Sequence, residues 1–445
     1  MKGYRDEAKD LLESASISIG DRIRIEKNGQ CTQGLLMPRT EGGASNHVVL
    51  KLDNGYNIGI KVTENTKIEK LEEGREPTMG GGESEITPDP EKPDVTIIGT
   101  GGTVASKIDY RTGAVHPEFS PLEIYNSAPK TTEIANIRTE TVCNVLSENM
   151  NPELWSKIGR AVGRELKDGE ADGVVIAHGT DTMGYTASAL SFMLQNPPKP
   201  VVLVGSQRSS DRPSSDATMN LTGAVSAAIS DLGEVCVVMH GSSEDEFCLI
   251  HRGVKVRKCH TSRRDAFQTI NDVPLGIIRD SEVEFLREKK GRNEDEGVEV
   301  KDGFEEKVAL VKVFPGINPE VIEGLVDKGY KGIVLEGTGL GHVPQPLYPS
   351  LERASDLDIP VAMTSQCIWG RTNLRVYSTG RDLLDLGVFS LGDMLPETAY
   401  VKMMWVLDKT QNKGEVKSLM KENLAGEITP ETRPDVFLKP KTSSE

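Results

Sequence analysis

Hydrophobic and polar positions change period along the chain, and each change marks an element. In residues 4–13, Ala8, Leu11 and Leu12 fall on one side, which predicts a short helix. Over residues 16–71 the period drops to two. Ile23 and Ile25 alternate with Arg22 and Arg24, and Ile58, Ile60 and Val62 alternate after the turn Asp53-Asn54-Gly55. Asn-Gly between alternating runs is a hairpin signal. Several short strands in so small a span predict an all-β, SH3-like barrel over residues 1–71. Such a barrel either binds a partner or nucleic acid, or passively caps the next domain. Residues 72–93, EEGREPTMGGGESEITPDPEKP, are rich in Gly, Pro and Glu and read as a linker.

Beyond residue 94 the pattern becomes continuous apolar runs separated by helical stretches. Residues 173–177, 200–204 and 235–239 are strand-like, and each runs into a polar turn: HGTDT, GSQRSS and HGSSE. A helical pattern at 152–166 precedes the first of these runs, and one at 186–194 lies between the first two. The alternation predicts α/β architecture: parallel sheets with helices on both faces, and polar turns sharing the carboxyl edge of the strands. Residues 285–306 are dense in charge and Gly and read as a second boundary or an exposed hairpin. The alternation then resumes, with strand-like runs at 308–313, 332–336 and 360–363 and helices at 319–328 and 396–407. This divides the chain into 94–290 and 307–433, with a tail at 434–445. No repeat of fixed period is found.

Composition narrows the class. At 445 residues the chain exceeds one ordinary domain. No apolar run reaches membrane-span length, and the charged start MKGYRDEAKDLLES lacks the core of a secretory signal, so the expectation is a cytoplasmic protein. A net charge of −16 argues against broad nucleic-acid binding by this chain alone. The six cysteines form no CxxC pair, and His116, His240, His251 and His260 show no metal spacing, so no metal is expected. Trp155, Trp369 and Trp405 read as packing residues. Cys367, in TSQCIWG, is a conceivable nucleophile, but a small core residue is the better reading.

The chemistry centres on residues 95–105, VTIIGTGGTVA, a strand running into a glycine turn. GxGxxG fails because Val104 stands where the third glycine belongs, and no Gly-Lys-Ser/Thr follows to make a P-loop. What the turn offers is two hydroxyls, Thr100 and Thr103. A threonine attacks only once a base takes its proton, and Thr103, being internal, has no α-amine of its own to use. Thr180, Asp181 and Lys258 would supply a relay if they met it, with the lysine partly desolvated. Read alone, the turn favours packing, and Lys258 in its basic stretch favours a solvated side chain.

These motifs together resemble the bacterial-type L-asparaginase/glutaminase family. Thr100-Gly101-Gly102-Thr103, His178-Gly179-Thr180-Asp181-Thr182 and Lys258 stand in the family's order, and the similarity runs from residue 94 to the 430s. Residues 110–115 resemble its lid, 144–150 its substrate-gripping segment, and the Ser365-Gln366-Cys367 turn and residues 392–396 its C-terminal domain. The resemblance implies a two-domain asparaginase-like fold in which Thr103 forms an acyl-enzyme with the side-chain amide. Thr180, Lys258 and Asp181 would form the relay or a second nucleophilic centre. Tyr110 would close over the site, and Ser147 and Glu148 would bind the substrate's α-groups, with Glu148 standing where many relatives carry Gln.

An N-terminal barrel, a linker and such a core also resemble the D-subunit family of archaeal glutamyl-tRNA(Gln) amidotransferases. That family implies a glutaminase, with glutamine or asparagine as amide donor. It supplies ammonia to a partner E subunit that binds Glu-tRNA(Gln) and uses ATP and Mg²⁺. This chain would carry no cofactor and would form the homodimer core of a heterotetramer. The alternative is a free-standing cytoplasmic L-asparaginase. Arg252, Lys255, Arg257, Arg263 and Arg264 are expected to be solvated, with contact to tRNA or the partner as the other reading.

Overall fold

The computed structural model describes residues 4–37, 45–51, 57–73, 88–101, 106–109, 114–117, 128, 130–168, 171–208, 215–293 and 297–437. Most of the linker, Thr103, Tyr110 and the end of the tail therefore lie outside the described residues.

The helix Asp6–Ser14 precedes a five-stranded antiparallel sheet. Its strands follow the order Asn57–Lys61, His47–Lys51, Gln30–Leu36, Arg22–Lys27 and Lys67–Glu72. The period-two pattern decides what is buried. Ile23, Ile25, Leu36, Val48 and Leu50 join Ala8 and Leu12 in one core, while Arg24 faces out and pairs with Glu69 across the sheet at 2.9 Å.

The central unit is built on an eight-stranded sheet. In spatial order its strands are Glu282–Phe285, Gly276–Arg279, Cys248–Arg252, Val235–His240, Val201–Val204, Gly173–Ala177, Asp94–Gly99 and Asn136–Thr141. The last five run parallel. The first three join antiparallel, so this sheet is mixed where the sequence predicted a parallel one. The reason is connection length. Only residues 241–247 separate His240 from Cys248, too few for a crossover helix but enough for a hairpin.

The central strands are buried on both faces. Val174 and Ile176 pack with Ile158, Ala187 and Leu190, whereas Val175 and Ala177 pack with Leu221, Ala224 and Ala228. The helices Pro152–Asp168 and Met183–Met193 thus cover one face and Ala217–Ala228 the other. A continuous apolar run is what such double burial requires.

The C-terminal unit has four parallel strands, Val308–Lys312, Gly332–Gly337, Val361–Ser365 and Phe389–Ser390. Its helix Pro396–Lys409 lies against Met183–Met193, with Trp405 stacked on Phe192 at 6.2 Å, so one core spans both units. The charge-dense run before it is no exposed hairpin beyond Phe285. Val298, Val300 and Phe304 pack into that shared core, and Phe304 meets Trp155 edge-on at 5.4 Å. Three spaced apolar residues outweigh the charges around them.

Candidate active site

Two neighbouring parallel strands end together and set the site. Gly99 is in register with Ala177, and both the backbone N–H and the hydroxyl of Thr100 donate to the Ala177 carbonyl, at 3.1 and 2.9 Å. Thr100 is buried, so its hydroxyl serves the backbone and is not available as a second reactive group. Gly101 follows at φ +102°, and a Cβ there would lie 2.3 Å from the Val145 carbonyl oxygen. Only glycine meets both conditions. Thr103, the expected nucleophile, and Tyr110, the expected lid residue, fall outside the described residues; the strands Ser106–Asp109 and Ala114–Pro117 pair antiparallel.

The adjoining strand Gly173–Ala177 delivers residues 178–182 to the same edge. There the structure brings together Thr180, Asp181 and Lys258. The Lys258 Nζ donates to Thr180 Oγ1 at 2.9 Å and to Asp181 Oδ1 at 2.7 Å. The lysine side chain is 14% exposed and the aspartate 67%, so the carboxylate opens to solvent while the amine is largely enclosed. Thr180 is buried, its methyl seated where a Cβ on Gly205 would come within 2.7 Å. A lysine, a hydroxyl and a carboxylate in contact can pass a proton.

Below the turn runs a chain that the sequence reading missed. His178 is fully buried, with Nδ1 2.7 Å from the Gly179 carbonyl and Nε2 2.9 Å from Thr186 Oγ1. A carbonyl only accepts, so Nδ1 carries the proton and Nε2 accepts from the threonine. Trp155 Nε1 donates to that same hydroxyl at 3.1 Å, giving this packing residue a polar task as well. Burial pulls the His178 imidazole down to about 4, which keeps it neutral. The signal in the sequence was Thr186, eight residues after His178 on the following helix, but nothing local marks it as a partner.

The expected gripping segment abuts the turn. Thr182 Oγ1 donates to the Ser147 carbonyl at 2.6 Å, and a Cβ on Gly179 would strike the Ser147 Cβ at 2.7 Å. Ser147 is buried and Glu148 exposed, within the 3₁₀ turn Ser147–Asn149. One strand over, the buried Asp216 carboxylate accepts from the backbone N–H groups of Gln207 and Arg208 at 2.9 Å each, pinning the next polar turn.

Within the basic stretch Arg252 and Lys255 depart from the expectation of solvated side chains, whereas Arg263 is exposed as expected. Arg252 makes a paired contact with Glu234 at 2.7 and 2.9 Å. Lys255 is wholly buried on Asp393 at 2.6 Å, and Arg257 reaches Glu397 at 3.3 Å. Arg263 and Arg264 pair with Asp265 and Asp245. His240 and His251 are buried and hydrogen-bonded to Asn220 and Thr269, whereas the exposed His260 accepts from the backbone N–H groups of Ser262 and Arg263. Cys236 and Cys248 are buried, which pushes both thiols well up. Cys367 is exposed and is not the core residue the sequence suggested. Among the described residues no three His, Cys, Asp or Glu side chains group as metal ligands, and no helix is long and apolar enough to cross a membrane.

Comparison with known proteins gives this geometry its context. Family models match in three consecutive pieces: a GatD N-terminal domain over residues 17–71, an asparaginase N-terminal domain over 94–291 and a glutaminase/asparaginase C-terminal domain over 307–420. The chain is 56% identical over 435 residues to the glutamyl-tRNA(Gln) amidotransferase D subunit of Pyrococcus abyssi, covering 97% of this chain and 99% of that one. It is 52% identical to the corresponding D subunit of Methanothermobacter thermautotrophicus, over 96% and 98% of the two chains. Among solved structures, the thermostable L-asparaginase from Thermococcus kodakarensis superposes with a TM-score of 0.70 at 34% identity, covering 76% of this chain and all 100% of its own. L-asparaginase I from Vibrio cholerae superposes with a TM-score of 0.66 at 29% identity, covering 76% and 99%. The part that the two asparaginases share with this chain is the α/β core, and full-length likeness extends to the N-terminal sheet as well. The chain therefore belongs to the D-subunit family of glutamyl-tRNA(Gln) amidotransferases, with an asparaginase-fold amidohydrolase core behind a small antiparallel sheet domain.

Proposed function

We propose that the chain hydrolyses glutamine through Thr103 and passes the ammonia to a partner subunit that converts Glu-tRNA(Gln) to Gln-tRNA(Gln). The observation that carries this reading is the contact of Lys258 with both Thr180 and Asp181 at the carboxyl edge of the strands. In this reading the amine accepts a proton from a threonine hydroxyl, and the exposed Asp181 carboxylate meets the substrate's α-ammonium. Ser147 and Glu148 face the same α-groups, and Tyr110 closes over Thr103. The threonine oxygen adds to the amide carbon, the C–N bond breaks with proton transfer to nitrogen, and ammonia leaves. Water then adds to the acyl ester and returns the proton to the threonine. Backbone N–H groups around Thr180 stabilise the oxyanion.

ATP and Mg²⁺ belong to the partner in this assignment, as does most contact with tRNA, which suits a chain of net charge −16. The assembly is a homodimer of this chain with two partner subunits, working in the cytoplasm. The test is glutamine hydrolysis by the full chain, measured with and without the partner and Glu-tRNA(Gln). Stimulation by both is expected. Robust hydrolysis of free asparagine that neither partner nor tRNA changes would overturn this reading in favour of a free-standing L-asparaginase.

A further inference from the structure

Lys258 sits at the end of a short strand, and that strand is held from behind by the other α/β unit. Val256–Lys258 pairs only with Phe267–Thr269 among the described residues, a hairpin of three residues a side. Two strands of this length do not hold a position by themselves. Three fastenings tie the hairpin to the C-terminal unit. The Val254 carbonyl accepts from Thr398 Oγ1 at 3.1 Å. Lys255 Nζ reaches Asp393 Oδ2 at 2.6 Å, with the two side chains 0% and 3% exposed. Arg257 Nε reaches Glu397 Oε1 at 3.3 Å, with Glu397 12% exposed.

The alternation of side chains along a strand explains the division. Arg257 projects to one side and finds Glu397 of the C-terminal unit, while Lys258 projects to the other and finds Thr180 and Asp181; Lys255, in the turn just before the strand, reaches Asp393 of the same unit. Asp393 is itself fixed: Thr429 donates to it from its backbone N–H at 2.9 Å and its hydroxyl at 2.5 Å. Asn271, just past the second strand of the hairpin, donates to the Asp393 carbonyl at 3.1 Å. The Lys255 fastening is thus braced at its far end.

We propose that Asp393 and Glu397 are positioning residues that set the place of Lys258 through Lys255 and Arg257, so that the C-terminal unit holds the proton-relay lysine in register with Thr180. This rests on the relay role assigned to Lys258 above. A shift of about 1 Å at a reacting group costs up to about a hundredfold in rate, so loosening one fastening has a measurable effect on turnover without touching substrate.

The experiment uses the full chain with Arg257→Gln, Glu397→Gln, the double variant and Arg257→Lys. Glutamine kcat and KM are measured alongside hydrogen exchange of the amides at 256–258 and 267–269. Expected are a fall in kcat of about tenfold in each Gln variant, KM within about twofold, and a double variant no worse than the singles. Arg257→Lys restores most of the rate, and the hairpin amides exchange about tenfold faster in the Gln variants than in the parent. Rates within twofold of the parent overturn the proposal, and so do multiplicative losses with no rescue by lysine. If the parent hydrolyses no glutamine, the proposed function fails, and exchange alone decides the positioning claim: unchanged hairpin exchange in Glu397→Gln overturns it. Should Glu397→Gln not fold, Thr398→Val loosens the same hairpin at Val254 and is read in the same two ways.

Discussion

Lys258 at the strand edge and Lys402 in the seam between the two α/β units are both lysines held by a carboxylate, yet their surroundings have little else in common. Lys402 is 0% exposed and donates to the Met420 and Glu422 carbonyls and to Glu427 Oε1. Glu427 also accepts from the backbone N–H groups of Leu424 and Ala425. All three ammonium donors are used, and both carboxylate oxygens accept. Burial pulls the Lys402 ammonium below the usual lysine range, and Glu427 opposes that pull. Lys258 has a hydroxyl and one carboxylate oxygen, and its carboxylate stands largely in solvent. A saturated pair has nothing left to offer a substrate. Lys258, with two partners among the described residues and a carboxylate open to solvent, can exchange partners during a reaction. Saturation therefore separates the fastening from the proposed reactive group more clearly than burial or charge does.

The sharpest way to break that comparison is at the site. Thr103→Ala and Lys258→Met should each lower glutamine turnover by about 10³-fold or more with little change in thermal unfolding. Turnover within tenfold of the parent would remove either residue from the mechanism. In the seam the pattern should reverse. Lys402→Met leaves a buried carboxylate without its counter-charge, a loss of about 3–5 kcal/mol in urea unfolding. Replacing Lys402 and Glu427 together by Met should recover most of it, and a double variant as unstable as the single would contradict the idea of a closed pair.

Next comes pH. Burial holds His178 down to about 4 and His251 to about 3, against 6.5 for a free imidazole. Near pH 5 the unfolded chain binds protons at these two positions that the folded chain refuses. Stability must then rise with pH up to about 6.5 and level off above it, by on the order of 2 kcal/mol per histidine between pH 5 and 7.5. Urea unfolding across that range measures it, and a flat curve would mean that the two rings ionise in place. The smallest effect is at the turn. Gly101→Ala forces a Cβ onto the Val145 carbonyl at φ +102° and should cost about 1–3 kcal/mol, with activity falling alongside. Parent-like stability would show that the turn has room to relax.

The strands that carry the site were legible because double burial leaves an unmistakable run such as residues 173–177. Cys248–Arg252 was harder, since its antiparallel pairing depends on the length of the turn before it and on nothing within the strand. The glycine turn, Thr180, Asp181 and Lys258 were legible as residues, and the structure brings the last three into contact. Lys255 and Arg252 were read as solvated because a charge in a basic stretch looks the same whether or not a carboxylate waits 138 residues away. His178 stood in plain view within its motif. Its neutrality was hidden, because that comes from burial and from Thr186 on the following helix.

The bond from Thr182 to the Ser147 carbonyl, with Gly179 pressed against the same serine, leaves the two turns no independent freedom. On the proposed substrate-binding role of Ser147, a change that enlarges or narrows the space beside it also moves the turn that carries Thr180. Selectivity and speed are thereby geared to one another. A change of substrate preference in this framework calls for paired substitutions on both turns, since a lone one at either would trade one property for the other.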